Sequence, residues 1–336
     1  KGDYLIPGLV DVHFHGCVGY DFCDGTQEAL EKMAEYQLAN GITTICPASM
    51  TFSEEQLKGI FENAANYKSE KGATLVGINM EGPFISMEKK GAQNGEFIHK
   101  PDAEMFERLQ VAANGLIKLC DIAPEVEGAM DCIEKISDKV TVSLAHTAAD
   151  YDIAQEAIDK GARHVTHLYN AMPPYSHRAP GVIGAACDNE KVMVELICDG
   201  VHSHPATVRT TFKMFGDDRI VFISDSMMAC GLEGGQYTLG GQDVTVKGNL
   251  ATLTELGNIA GSVTNLMKCM RKAVKEMHIP LESAVKCATA NPAKAIGIYD
   301  TYGSLTPGKQ ADVVLLDESL EIRYIIKAGE VVHVND

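Results

Sequence analysis

In the stretch VTVSLAHTAADYDIAQEAIDKGARHVTH, residues 140–167, a short apolar run over 140–145 ends on His146, a helical pattern follows, and a second run over 163–167 ends on His167. Two strands rich in Val, Ile and Leu, joined by a helix, lie parallel with both faces covered, because the crossover helix packs back onto the sheet. The same alternation extends in both directions. Apolar runs at 9–13, 43–46, 74–80, 117–121, 192–198 and 219–224 bring the set to eight, with helical patterns between them. The helical segment over 28–40 stops at Gly41, and Ser53 with Gln56 three residues on forms a capping box for the next one. Eight units in about 215 residues predict an α/β fold of the (β/α)8 TIM-like barrel type, with a doubly wound open sheet as the alternative.

Past the eighth strand the period changes to two over 236–255, with Gly-Gly and Gly-Asn turn signals, which predicts a small antiparallel insertion. Helical patterns return over 264–277 and 281–290. The closing segment again reads as short strands, at 312–316, 321–326 and 331–334, and such strands need sheet partners to bury a face. The expected organisation is a barrel over 7–302 carrying the insertion, and a small β-sandwich-type satellite domain built from 1–6 and 303–336. The chain opens at Lys1 without Met or a signal segment, so a trimmed start and a satellite incomplete at its N-terminus are expected.

Composition narrows the function classes. With 45% hydrophobic and 22% charged residues the chain is ordinary globular protein, neither disordered nor fibrous. No apolar run approaches the roughly 18 residues of a membrane helix. A formal charge of −17 argues against nucleic acid or an anionic membrane surface as partner, and an anionic substrate would need its own basic pocket. Ten cysteines at irregular spacing, with no Cys-x-x-Cys pair, predict reduced thiols and a cytoplasmic location.

The ends of the strands carry the chemistry. His13 and His15 alternate past the first strand, so an extended chain points both rings to one side. Glu81 ends the third strand, His146 the fifth, His167 the sixth and Asp225 the eighth. Barrel enzymes assemble their reacting groups at the carboxyl ends of the strands, and five strands delivering imidazoles and carboxylates to one rim predict a metal centre. Nitrogen and oxygen donors without thiolate suit catalytic Zn²⁺ or Fe²⁺ with an open position. For Asp225 a helix N-cap is the plain structural alternative, since Ser224-Asp225-Ser226 is good capping chemistry.

Several segments carry a resemblance. Pro7-Gly8-Leu9-Val10-Asp11-Val12-His13-Phe14-His15-Gly16, Glu81-Gly82-Pro83-Phe84, His146-Thr147, His167-Leu168-Tyr169-Asn170-Ala171-Met172, Asp199-Gly200-Val201-His202 and Ser224-Asp225-Ser226 resemble the N-acetylglucosamine-6-phosphate deacetylases of the amidohydrolase superfamily. The likeness runs from Pro7 to the closing Gly303-Ser304-Leu305-Thr306-Pro307-Gly308. It implies deacetylation of N-acetyl-D-glucosamine 6-phosphate to D-glucosamine 6-phosphate and acetate, with one or two divalent metals per subunit. Glu81, His146 and His167 would hold the main metal, and His13 and His15 a second. Many related amidohydrolases bridge two metals with a carboxylated lysine at the end of the fourth strand, where this chain has Leu119-Cys120-Asp121, so Glu81 is the expected bridge. Asp225 would act as general base toward water and then as acid toward the leaving amine.

The resemblance also assigns the phosphate to Asn170, the Ala171 amide, His202 and Arg178, the last reaching across from a neighbouring subunit, which implies a homodimer. Arg suits a phosphate through its planar fork. In the loop over 84–99, read as a mobile flap or else a plain surface loop, Gln93 stands where the family has a His that holds the substrate carbonyl. Gln donates the same hydrogen bond but carries no positive charge. Deacetylation of N-acetylgalactosamine 6-phosphate, hydrolysis of another amide within the superfamily, and an inactive sugar-phosphate-binding paralogue are the alternatives. Of the other histidines, His99, His164, His177, His204, His278 and His333 are expected to be structural or solvent-facing.

Overall fold

Eight short runs of aliphatic and β-branched residues, buried on both faces, form the parallel strands of a barrel in this computed structural model, which describes residues 3–68 and 71–334. In chain order they are Leu9–Asp11, Ile42–Ile45, a split third strand of Thr74–Leu75 and Ile78–Met80, Ile117–Ile122, Thr141–Leu144, His164–Val165, Met193–Ile197 and Ile220–Ile223. Strands one, two and the first half of three pair in one sheet, and the second half of three continues through to strand eight in another. The gap within strand three falls at Gly77, where an added Cβ would lie 2.4 Å from the Lys118 side chain. Loop contacts join the halves, Asn79 N–H to Pro47 O and Ser49 N–H to Asn79 O, both at 2.9 Å.

The remaining seam, between strands eight and one, is closed by side chains and by the first residues of the loops. Ser224 Oγ donates to Asp11 Oδ2 at 2.6 Å, and Asp225 N–H donates to His13 O at 2.9 Å. Burial pushes the Asp11 carboxyl up to about 7 against those bonds. The barrel interior is packed by Val10, Val12, Leu119, Ile197, Val221 and Ile223, and Ala293, Ala295 and Ile296 from the helix Ala290–Ala295 and its C-terminal end stopper it at the amino end of the strands. Thr141 Oγ1 ties to Ala295 O at 2.8 Å. Only the opposite mouth, at the carboxyl ends, is left for a ligand.

Several sequence expectations come out shorter. Strand one stops at Asp11 rather than residue 13, and strand six keeps only His164–Val165 of the expected 163–167. The physical cause at strand six is the turn itself: His167 sits at φ 28°, which ends the ladder and swings its ring into the mouth. The helix Gln27–Ala39 carries Thr26 as its cap, and Glu54–Ala65 shows both capping-box bonds at Ser53 and Gln56. The expected helix over 281–290 is instead Leu281–Ala288 followed by Ala290–Ala295. The insertion is a three-stranded antiparallel sheet, Gly235–Leu239, Gln242–Lys247 and Leu250–Leu253, with its own core of Leu239, Val244, Val246 and Leu253 packed on Met50.

The satellite is one four-stranded antiparallel sheet in which Tyr4–Pro7 pairs with Val313–Leu316, followed by Ile322–Lys327 and Glu330–Val334. Ile6, Val314, Leu316 and Ile325 bury its inner face into the main core. Residues 1, 2, 335 and 336 of the expected satellite lie outside the described residues. Among the described residues no helix is long and apolar enough to cross a membrane.

Candidate metal centre and active site

Three strand ends bring their side chains into contact at the open mouth. Glu81 Oε1 lies 3.1 Å from His146 Nε2 and 3.2 Å from His167 Nε2, and the two ring nitrogens are 3.1 Å apart. Donors bound at about 2.0–2.1 Å to one tetrahedral ion are themselves roughly 3.3 Å apart, so this triangle has the edge length of a coordination shell. His13, His15 and Asp225 form a second group: Asp225 Oδ1 is 3.3 Å from His15 Nε2 and 3.6 Å from His13 Nε2. Glu81 spans both, with Oε1 3.4 Å from His13 Nε2 and Oε2 3.3 Å from His15 Nε2. His13 Nε2 is buried, has no hydrogen-bond partner, and points at two carboxylates. A donor set that converges in this way fits one or two divalent cations.

The tautomers are fixed from behind. His146 Nδ1 faces Lys89 O at 2.9 Å and His15 Nδ1 faces Ala48 O at 3.2 Å; a carbonyl only accepts, so each ring carries a proton there and turns Nε2 to the centre, where a cation would take the place of any proton on that nitrogen. His13 Nδ1 donates instead to a carboxylate, Glu195 Oε2, at 2.9 Å. His146, His167 and Asp225 all have left-handed backbones, at φ 43°, 28° and 48°, a conformation that costs non-glycine residues energy and collects at functional sites. Burial opposes the charge on Asp225, but the hydrogen bond from His15 and the positive field of the neighbouring imidazoles hold its carboxyl below the ordinary range. Asp225 therefore presents an ionised oxygen to the cleft. The next element after it is the strand Gly235–Leu239 and no helix begins before Leu266, so the capping alternative does not apply.

A cleft of about 450 Å³ opens over the centre, and Gln93, Asn170, Ala171 and His202 reach its wall along with His15, Glu81, His146, His167 and Asp225. Gln93 is not held as a mobile flap residue would be. It is buried, its Oε1 accepts from Thr51 N–H and its Nε2 donates to Glu81 Oε2, both at 2.7 Å, so the loop over 84–99 is anchored to the centre. Asn170 Nδ2 donates to His167 O at 3.1 Å. His167, Tyr169 and Ala171 alternate at positive φ, and within this winding the Leu168 amide donates to Glu195 O and the Asn170 amide to His167 O, both at 2.9 Å. His202 Nδ1 pairs with Asp199 Oδ2 at 2.8 Å; burial disfavours its imidazolium, yet that bond and the Asp199 charge outweigh it and raise the His202 pKa. Arg178 is exposed and lies outside the cleft lining of its own chain.

Sequence reasoning missed three contributors. Glu195 stands buried in an otherwise aliphatic strand, and that isolated charge was the signal available. Asp199 was quoted within a motif without a role. The insertion was expected only as a small antiparallel unit with no part in the site, whereas Leu239 and the following residues Asn258, Ile259 and Gly261 wall the cleft, and Gln242 Nε2 donates to Ala92 O of the loop opposite. His164 and His204 are structural as expected: His164 Nδ1 meets Ser143 Oγ at 3.1 Å, and His204 Nδ1 accepts from Ala206 N–H to cap the helix Pro205–Phe215.

The chain is similar to known proteins along nearly its whole length. The N-acetylglucosamine-6-phosphate deacetylase of Bacillus subtilis (strain 168) is 36% identical over 337 residues, which cover 98% of this chain and 85% of that protein. The N-acetylgalactosamine-6-phosphate deacetylase of Escherichia coli O157:H7 is 31% identical over 331 residues, 98% of this chain and 87% of that one. The crystal structure of the N-acetyl-D-glucosamine-6-phosphate deacetylase from Mycobacterium smegmatis superposes with a TM-score of 0.93 at 33% identity, covering 98% of this chain and 88% of the other. The model of the amidohydrolase family, whose members are metal-dependent, matches residues 4–334, and with the two ligand groups at the barrel mouth this means that the chain belongs to the amidohydrolase family.

Proposed function

We propose that the chain is a metal-dependent amide hydrolase that deacetylates N-acetyl-D-glucosamine 6-phosphate, releasing acetate and D-glucosamine 6-phosphate. The observation that carries this is the meeting of Glu81, His146 and His167 within 3.2 Å of one another, with the Asp225 carboxylate beside them, under a cleft of monosaccharide size. The deacetylases among its relatives support the substrate class.

In this reading Glu81, His146 and His167 would hold the main cation, and His13 and His15, with Glu81 in reach of both groups, would hold a second. Donors of nitrogen and oxygen alone favour Zn²⁺ or Fe²⁺. A cation bound there supplies Lewis acidity to the acetyl carbonyl and acidifies water. Asp225 Oδ1 takes the proton from the attacking water and returns it to the sugar nitrogen, without which an amide leaves poorly. The Gln93 amide keeps one N–H for Glu81 and has a second to aim at the substrate oxygen. The phosphate lies against the Ala171 amide, Asn170 and the His202 imidazolium, with Arg178 supplied by a second copy of the chain in a homodimer. Residues 7–302 act as the catalytic unit and the four-stranded sheet as its satellite. With a net charge of −17 the partner is the sugar phosphate and no nucleic acid or membrane surface, and a cytoplasmic setting suits ten free cysteines.

The test is a substrate panel with the metal-loaded chain, in which free amine and acetate are followed for N-acetylglucosamine 6-phosphate, N-acetylgalactosamine 6-phosphate and unphosphorylated N-acetylglucosamine. Release from the first at the highest kcat/KM is expected. Preference for the second shifts the assignment to its epimer, and no release from any sinks it. Metal analysis before and after chelation, with single metals added back, decides between Zn²⁺ and Fe²⁺.

A further inference from the structure

The strand Met193–Ile197 places a carboxylate between Val194 and Leu196, in the interior of the barrel wall. Glu195 is fully buried there, and a charge in such a place persists only if its oxygens are met by donors. One oxygen does nearly all of the work. Oε2 accepts the Nδ1–H of His13 at 2.9 Å and the main-chain N–H of His167 at 3.0 Å. Oε1 has no hydrogen bond, and faces His164 Nδ1 only at 3.9 Å. A single atom thus touches one member of each of the two ligand groups, His13 of the second and His167 of the first.

The three ligand imidazoles that are held from behind are not held alike. His146 and His15 lean on neutral main-chain carbonyls, whereas His13 leans on a charge. A carboxylate behind a ligating imidazole fixes its tautomer and orientation and makes the forward nitrogen more basic. His13 has no other hydrogen bond from its ring, since Nε2 is unpartnered. Without Glu195 no hydrogen bond would select the tautomer that leaves Nε2 bare or hold the ring toward Glu81 and Asp225.

We infer that Glu195 is a positioning residue for the second cation: it turns His13 into a ligand, and through the His167 backbone it ties that second position to the geometry of the first. The inference rests on the metal-dependent reading above and adds that the strength of the second position is set from inside the seventh strand.

The experiment is a competition titration of the Zn²⁺-loaded full chain with a chelating indicator, counting the equivalents released and their two affinities, for the wild type, Glu195→Gln and Glu195→Asp, each checked for a cooperative thermal melt. The wild type should release two equivalents. Glu195→Gln keeps the size and an acceptor oxygen but not the charge, and should weaken the second equivalent by about 10- to 100-fold while the first stays within a few-fold. Glu195→Asp, with the charge restored on a shorter arm, should recover part of the loss. An unchanged second affinity in Glu195→Gln overturns the inference, as does an equal loss at both positions. If Glu195→Gln does not fold, Glu195→Asp decides alone: it must weaken the second equivalent selectively, and a wild-type constant overturns the assignment. A wild type that binds one equivalent and is active overturns this inference and leaves the proposed function standing; a wild type that binds none overturns the function instead.

Discussion

Asp225 is where one atom decides between chemistry and mere binding. Its carboxylate is ionised, close to His15 and His13, and faces the cleft. Asp225→Asn keeps the shape and removes the base, so turnover should fall by about 10²–10⁴-fold while sugar-phosphate binding, measured by calorimetry, stays near wild type. Turnover within a few-fold of wild type would take Asp225 out of the mechanism. His202 gives a pH signature instead. Its pKa is raised because Asp199 more than offsets burial, so the imidazolium that suits a phosphate persists to higher pH than in an unpaired histidine and is lost as pH rises through the raised value. KM for the phosphorylated substrate should therefore climb on the alkaline side, and in Asp199→Asn the climb should begin at lower pH. A limb that does not move would separate His202 from the phosphate. The ligand residues were legible in the sequence because strand ends announce themselves where an apolar run stops at a polar residue. Glu195 was not, because it sits inside such a run and its partners follow strands one and six, 182 and 28 residues away in sequence.

Among the elements, the strand-to-loop turns do the placing, and their cost is visible at Gly82. This residue follows Glu81 at φ 86°, and an added Cβ would come within 2.1 Å of Thr51 Oγ1, on a buried and β-branched side chain that has little freedom to yield. Gly82→Ala should destabilise the fold by about 1–3 kcal/mol and shift Glu81 out of register with His146 and His167. Differential scanning calorimetry with metal analysis checks both, and a wild-type midpoint with full metal content would show that the turn adapts. The alternation of strand and helix was readable because period and composition are local properties. The lengths of the strands were not, because His167 and Asp225 end their strands by left-handed turns that bring His167 to Glu81 and Asp225 to His13 and His15. The insertion over 236–255 was recognisable as antiparallel from its turns, yet its place against the cleft depends on Met50 and Ala92, which no local pattern connects to it.

For the molecule as a whole, Arg178 poses the sharpest question. It stands exposed, away from the cleft formed by its own chain, while the end of that cleft proposed to take the phosphate is lined by His202, Asn170 and Ala171 and, among the described residues, by no arginine. If a second copy supplies the guanidinium, the two halves of one site belong to different chains, and damage to them can be complemented. Arg178→Ala alone should raise KM about ten- to hundredfold, the loss of one charge-assisted pair, with kcat close to wild type. Asp225→Asn alone should be nearly inactive at any substrate concentration. When the two variants exchange subunits, a mixed dimer contains one site in which Asp225 comes from the Arg178→Ala chain and Arg178 from the Asp225→Asn chain, so that site is whole. Activity at low substrate should then rise well above the sum of the separate variants, toward the level expected from the fraction of mixed dimers. If Arg178 served its own chain, each mixed dimer would carry one site lacking the arginine and one lacking the carboxylate, and mixing would add nothing. A measured rate equal to that sum, with subunit exchange verified by tagged chains, would rule out the shared site.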